Sequence, residues 1–230
     1  MEQRSFRYFD LILGFFVAVL LISNIVSVKA ICFALPLTGI HFSFDGGTLL
    51  FPLSYIFADI LTEVYGYERS RRVIWSGFAG LVLMSFVIWL VGVIPADPDW
   101  PFQGSYQNLL TTAPRIALAS IIAYFVGEFS NSYILSRLKI FTKGKYLWTR
   151  TIGSTLVGEL VDSVLFVWIA FGGVWGNLLV IRVLISNYIF KTGYEILATP
   201  LTYAVTSWLK NRENEDHYDY EANYNPFLLK

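Results

Sequence analysis

The sequence predicts an all-α membrane protein of six transmembrane helices, with both termini in the cytoplasm. Two observations carry that prediction. Apolar runs of roughly 20 residues, the length that crosses a hydrocarbon core, recur along the chain. The Lys and Arg residues of the connecting segments fall on alternate sides of those runs. Cytoplasmic loops keep basic residues and translocated loops lack them. Arg4 and Arg7 precede the first run, and Arg69, Arg71 and Arg72 follow the second. Arg137, Lys139, Lys143, Lys145 and Arg150 follow the fourth, and Lys210, Arg212 and Lys230 follow the sixth. The segments after the first, third and fifth runs have no basic residue before Arg115, at the threshold of the fourth.

Spans are expected near 10–33, 48–66, 73–94, 115–137, 148–171 and 177–208. The first lacks a small-residue cleavage site and outlasts a signal-peptide core, so it reads as a retained span. Residues 34–47, with Pro36, Gly39, Gly46 and Gly47, read as a turn-rich loop or hairpin. The third span is the most uniformly apolar and is expected to face lipid. Residues 95–114 read as a short interfacial or re-entrant helix ended by Pro114. The sixth span is too long for one straight crossing, so Pro200 kinks it or its last turns project beyond the membrane. Trp75, Trp100, Trp148, Trp175 and Trp208 lie near span ends, as interfacial belts require. Residues 1–209 form the membrane domain and 210–230 a cytoplasmic polar tail, within which the acidic, aperiodic stretch from Asn211 to Asn225 reads as disordered.

Composition agrees. The chain is 55% hydrophobic and 15% charged, against about 25% charged for a soluble domain. Net charge is zero, so nucleic acid is not an expected partner. The one cysteine, Cys32, excludes an internal disulfide. No cofactor is expected, and a lipid bilayer is. Oligomeric state is open, a homodimer being one option.

Function is expected where charge sits at membrane depth. Each such group costs about 2.5–3.5 kcal/mol on insertion scales, so it faces a cavity or a partner. Asn24 lies in the first span, Asp59 and Glu63 in the second, Glu128 and Asn131 in the fourth, and Glu159 and Asp162 in the fifth. Asn187, Lys191 and Glu195 in the sixth are four apart and share one helix face. Lys29, Arg115 and Arg182 lie nearer the outer ends, where long side chains snorkel. Acids outnumber the one firmly mid-span base, Lys191. Structural readings stand beside the functional one: Lys191 and Glu195 as a helix-joining pair, Glu63 as an interfacial residue, Asn24 as interhelical glue.

An internal echo runs through the same region. Val126-Gly127-Glu128-x-x-Asn131-Ser132 recurs as Val157-Gly158-Glu159-x-x-Asp162-Ser163. Consecutive spans are antiparallel, so the copies can be related by an axis in the membrane plane, the geometry that places transporter sites at the midplane.

Several long motifs follow one another along the chain: Phe51-Pro52-Leu53-Ser54-Tyr55-Ile56-x-x-Asp59-Ile60-Leu61-Thr62-Glu63-Val64-Tyr65-Gly66 with Arg71-Arg72, then Thr112-x-Pro114-Arg115-Ile116-Ala117-x-Ala119-Ser120 and Ala123-Tyr124. Arg137-Leu138-Lys139, Ser154-Thr155-Leu156 with Asp162, and Asn187-Tyr188-x-Phe190-Lys191 come after them. Over residues 10–205 these stretches resemble the queuosine precursor transporter family, also called vitamin-uptake-transporter-like. The resemblance implies a six-span bacterial inner-membrane importer of cyano- and aminomethyl-deazaguanine, and a likeness to the substrate-binding subunits of energy-coupling-factor vitamin transporters. In the fourth span the family pattern is Gln then Asp, three apart; this chain has Glu128 then Asn131. The carboxyl is kept but moved about one turn.

Such a base offers paired N–H groups to a carboxylate and acceptors to a cation or amide. Asp162 or Glu159 is expected to read the N–H edge, Lys191 and Asn187 to donate, and Tyr188 or Tyr194 to stack on the ring. Asp59, Glu128, Asn131, Glu195 and Asn24 complete the candidate substrate-binding set. No G-x-x-x-x-G-K-[ST] or H-E-x-x-H motif occurs, so an enzyme is not expected. Proton coupling, facilitated diffusion and docking to an energising module all remain open. The alternatives are import of another heterocycle or vitamin, or an assembly protein whose charges only join helices.

Overall fold

Helix α1 (Phe9–Val26) is followed by strands β1 (Ala30–Ala34) and β2 (His41–Asp45) and a 3-10 turn at Gly46–Leu49. Helices α2 (Phe51–Tyr65), α3 (Tyr67–Val93), α4 (Gln103–Leu110), α5 (Pro114–Phe141), α6 (Leu147–Phe171) and α7 (Asn177–Glu213) complete the order. The computed structural model describes residues 6–27, 29–34, 41–110, 114–173 and 176–228. Pro36, Gly39 and Trp175 lie outside them, as do the side chains of Arg115 and Arg182.

The protein is helical, with one small exception. The expected first span, 10–33, is helical only to Val26. Its last residues form β1, antiparallel to β2, with Ile31 opposite Phe44 and Phe33 opposite Phe42. Aromatic and β-branched residues favour such pairing. Four described helices are long and apolar enough to cross a membrane: α1, α3, α5 from Leu118, and α6. Helix α2 has 15 residues, or about 22 Å at 1.5 Å per residue. It is the central helix: Tyr55, Ile56, Ala58, Ile60, Leu61, Val64 and Tyr65 are all buried. Helix α7 runs 37 residues and passes through Pro200 without a break.

The short helix expected within 95–114 is α4, but Pro114 opens α5 rather than closing α4. A proline at the first helical position gives up an N–H that would lack a partner anyway. On α3, Leu83, Phe86, Trp89 and Val93 are exposed, as expected of a lipid-facing span.

Side-chain pairing gives the helix directions. Asp59 meets Asn131, Thr62 meets Ser132, and the Glu63 carbonyl meets Lys139, so α2 and α5 run parallel. Tyr188 meets Leu156 and Tyr203 meets Trp148, so α6 runs antiparallel to α7.

The C-terminal segment is ordered, contrary to the disordered tail its composition suggests. It crosses the end of the bundle where α2 stops and α3 starts. Gly66 joins those helices at φ +86°, a left-handed conformation that glycine takes without strain. The Asp219 carboxylate accepts from the Tyr67 N–H at 2.9 Å, capping α3, and from Ser136 at 2.6 Å. Arg71, 1% exposed, donates to the Asn223 and Asn225 carbonyls, and the Trp75 indole to Pro226. Low hydrophobicity signalled disorder; what holds the segment is a set of buried donors elsewhere in the chain, which local composition does not reveal.

Candidate functional site

Two polar layers lie inside the bundle. The first sits where the basic segments converge. Arg150 grips Glu63 through two parallel bonds, Nε to Oε2 and Nη2 to Oε1, both 2.6 Å. Lys210 reaches Glu63 Oε1 at 2.5 Å. Lys139 donates to the Glu63 carbonyl at 2.5 Å and to Asp216 at 2.6 Å. Lys210 also pairs with Asp216 at 2.8 Å. Three cations and two carboxylates thus tie α2, α5, α6, α7 and the C-terminal segment together. Burial would raise the Asp216 carboxyl, but bonds and charge from Lys139 and Lys210 outweigh it and hold the group below its ordinary 3.8. Glu63 is therefore no loosely solvated interfacial residue.

The second layer lies one turn deeper along α2 and contains most of the expected site. Asp59, Glu128, Asn131 and Glu159 are fully buried, and Asp162 and Glu195 nearly so. The Asn131 amide donates to Asp59 Oδ1 at 2.7 Å. Lys191 donates to Asp162 Oδ2 at 2.7 Å, and its ammonium lies 3.4 Å from Glu159 Oε2. So Lys191 is paired with α6 rather than with Glu195, its neighbour one turn along α7. Both carboxyl oxygens of Glu128 and of Glu195, and Asp59 Oδ2, are buried without a hydrogen-bond partner. Asp59, Glu159, Asp162 and Glu195 all lie close enough to Glu128 to repel a charge there.

The two copies of the internal echo pack against each other here. A Cβ on Gly127 would lie 3.0 Å from the Asp162 Cβ and 3.2 Å from the Gly158 carbonyl oxygen. A Cβ on Gly158 would lie 2.8 Å from the Asn131 Cβ and 3.2 Å from the Gly127 oxygen. The contacts are reciprocal: each glycine meets its counterpart and the polar residue four positions on in the other copy. The absent side chains let the two backbones cross closely, and that crossing places Asp162 beside Gly127 and Asn131 beside Gly158 on one seam.

Other expected residues are placed differently. Asn24 donates to Leu20 of its own helix, and no described contact brings it into the layer. The Tyr188 hydroxyl donates to the Leu156 carbonyl at 3.2 Å. Tyr194 is half-buried and packs against the apolar core. Asn187 is half-buried on α7. One residue was missed: Tyr55, fully buried, lies against both crossing glycines. Its spacing was the available signal, since Tyr55, Asp59 and Glu63 are four apart and share a face of α2.

A helical bundle with apolar outer faces and a buried layer of carboxyls, amides and one lysine is the arrangement in which membrane proteins carry function. Comparison with known proteins makes the class specific. Residues 45–205 match the family described as "Putative vitamin uptake transporter", and the chain belongs to that family. It is 30% identical over 171 residues, 73% of each chain, to a "Probable queuosine precursor transporter" of Bacillus subtilis (strain 168). It is 27% identical over 137 residues, 60% of this chain and 59% of the other, to the "Queuosine precursor transporter" of Escherichia coli (strain K12). A third relative, from Haemophilus influenzae, is 29% identical over 132 residues, 56% of this chain and 54% of the other. No solved structure matches the chain at a significant level.

Proposed function

We propose that the protein imports queuosine precursors, flat deazaguanine bases, across the bacterial inner membrane as a multi-pass transporter. The observation that carries this reading is the buried layer of Asp59, Glu128, Asn131, Glu159, Asp162, Lys191 and Glu195 at the α5–α6 crossing, in a chain whose curated relatives are named as queuosine precursor transporters. Carboxylates accept paired N–H groups from a base, and a lysine or amide serves its carbonyl.

Six crossings with both termini cytoplasmic fit the packing. Helix α7 carries Lys191 and Glu195 toward the buried layer, while Ile181, Ile185, Ile189, Leu197 and Leu201 form an exposed apolar row along it. Helix α2 is buried among the other helices. The segment before α1 and the end of α7 lie together, since the Arg7 and Tyr8 N–H groups donate to Glu213. Lys139, Arg150 and Lys210 gather at that same end, which the basic-residue rule makes cytoplasmic.

Within the layer, Asp162 and Glu159 read the N–H edge of the base while Lys191, held between them, donates to its acceptors. Tyr55 packs beside the base, and Asp59, Glu128, Asn131 and Glu195 line the remainder. Import is driven by protons, which the excess of carboxyls can carry. Radiolabelled deazaguanine uptake into liposomes of the purified chain tests the reading. Saturable uptake, raised by an inward proton gradient and lost in Asp162→Asn and Lys191→Ala at normal membrane levels, is the expected result. Wild-type uptake by both variants would remove the site assignment, and uptake indifferent to the gradient would remove proton coupling.

A further inference from the structure

Charge is divided unevenly across the buried layer. On the α6 side, Lys191 sits 2.7 Å from Asp162 and 3.4 Å from Glu159, so those two carboxylates share one cation. On the α2–α5–α7 side stand Asp59, Glu128 and Glu195, and no Lys or Arg pairs with them among the described residues. Asn131 satisfies one oxygen of Asp59; the other, and all four of Glu128 and Glu195, are buried without a hydrogen-bond partner. Burying such acceptors is costly unless something supplies donors or positive charge. Among the described residues, no three His, Cys, Asp or Glu side chains are placed to hold a metal ion together. An alkylammonium needs no such convergence: it brings one positive charge and N–H donors that one or two of these acids can accept while the others feel its charge.

We infer that Asp59, Glu128 and Glu195 form a receptor for an alkylammonium arm carried by the planar substrate, so that a base with a cationic arm binds in preference to a neutral counterpart. The inference rests on the transport reading above and adds the orientation of the substrate. The ring lies toward Lys191, Asp162 and Glu159, and the arm points across the crossing toward α2 and α7. Asn131 holds Asp59 in place for it.

The test measures equilibrium binding of two probes with the same ring, aminomethyl-deazaguanine and cyano-deazaguanine, to the purified full chain in lipid nanodiscs. The wild type is expected to bind the aminomethyl base at least about tenfold tighter, the worth of one charge-assisted hydrogen bond. Glu195→Gln and Glu128→Gln each cut that ratio about tenfold, whereas Asp162→Asn weakens both probes and leaves the ratio standing. Two separate variants guard against one that fails to fold. Saturable binding of both bases without preference, or a preference that survives both Gln variants, overturns the receptor while leaving the transport reading intact. Binding of neither base to the folded wild-type chain overturns both.

Discussion

Gly127 on α5 and Gly158 on α6 face each other so closely that a Cβ on either would lie 3.2 Å from the carbonyl oxygen of the other. Around this contact the two copies of the internal echo exchange neighbours, Asp162 beside Gly127 and Asn131 beside Gly158. Two antiparallel segments of like sequence thereby bring their polar residues to one seam.

Gly158→Ala tests that crossing. Its Cβ would meet the Asn131 Cβ at 2.8 Å, inside real contact distance. Overpacking costs about 1–3 kcal/mol, and the helix-propensity gain of about 1 kcal/mol offsets only part of it. A lowered melting temperature is expected, with uptake reduced about tenfold or more. Wild-type values of both would mean that the crossing is looser than described.

The carboxyl shifted by one turn makes a second prediction. Asn131→Asp removes the donor to Asp59 and sets a new acid against it. Uptake should fall about tenfold or more, since a hydrogen bond to a charged group is worth about 1.5–3 kcal/mol. Glu128→Gln combined with Asn131→Asp restores the acid count, and uptake should partly recover. A double variant worse than Asn131→Asp alone would show that the position of the acid, not its presence, matters.

Glu63 is expected to matter more for stability than any single cation around it. Glu63→Gln strands Arg150, which is 1% exposed, without its bidentate partner. Removing one member of a buried pair costs about 3–5 kcal/mol. Lys210→Gln leaves Glu63 with Arg150 and Lys139, and should cost less. Thermal unfolding of the two variants in detergent checks the order.

Acid should loosen the C-terminal segment. The Asp216 carboxyl is held below its ordinary 3.8, burial being outweighed by its bonds to Lys139 and Lys210. A depressed folded-state value means that the stabilisation is present above pH 3.8 and is lost as pH falls through the folded-state value. Protection of the His217 amide, whose N–H bonds to the Val64 carbonyl, relative to its intrinsic exchange rate should fall only below that point. Asp216→Asn should exchange faster at neutral pH, with a weaker acid dependence.

Much of this protein was legible in its residues, because membrane insertion acts on local composition. An apolar run must be helical in lipid, so α3, α5 and α6 could be read within a few residues at most ends. Charge at depth is costly, so Asp59, Glu128, Glu159, Asp162, Lys191 and Glu195 announced themselves individually. Asn24 was announced the same way, yet a mid-span polar group can equally be satisfied by its own helix.

Pairing was not legible. Composition marks Lys139, Arg150 and Lys210 as topology signals, and only packing turns them into a buried network around Glu63 and Asp216. Sequence spacing allows Lys191 to pair with Glu195 one turn away; the neighbouring helix supplies Asp162 at 2.7 Å instead. The end of the chain looked unstructured because its partners, Arg71, Trp75 and the Tyr67 N–H, lie about 150 residues away. What the sequence determined alone was which segments are apolar enough to enter a membrane and which residues would be costly there, since both follow from the transfer of each group out of water. Which acid meets which base, and which are buried without a hydrogen-bond partner, was decided by tertiary structure, because hydrogen bonds and ion pairs act over a few ångströms between helices whose register no single segment encodes.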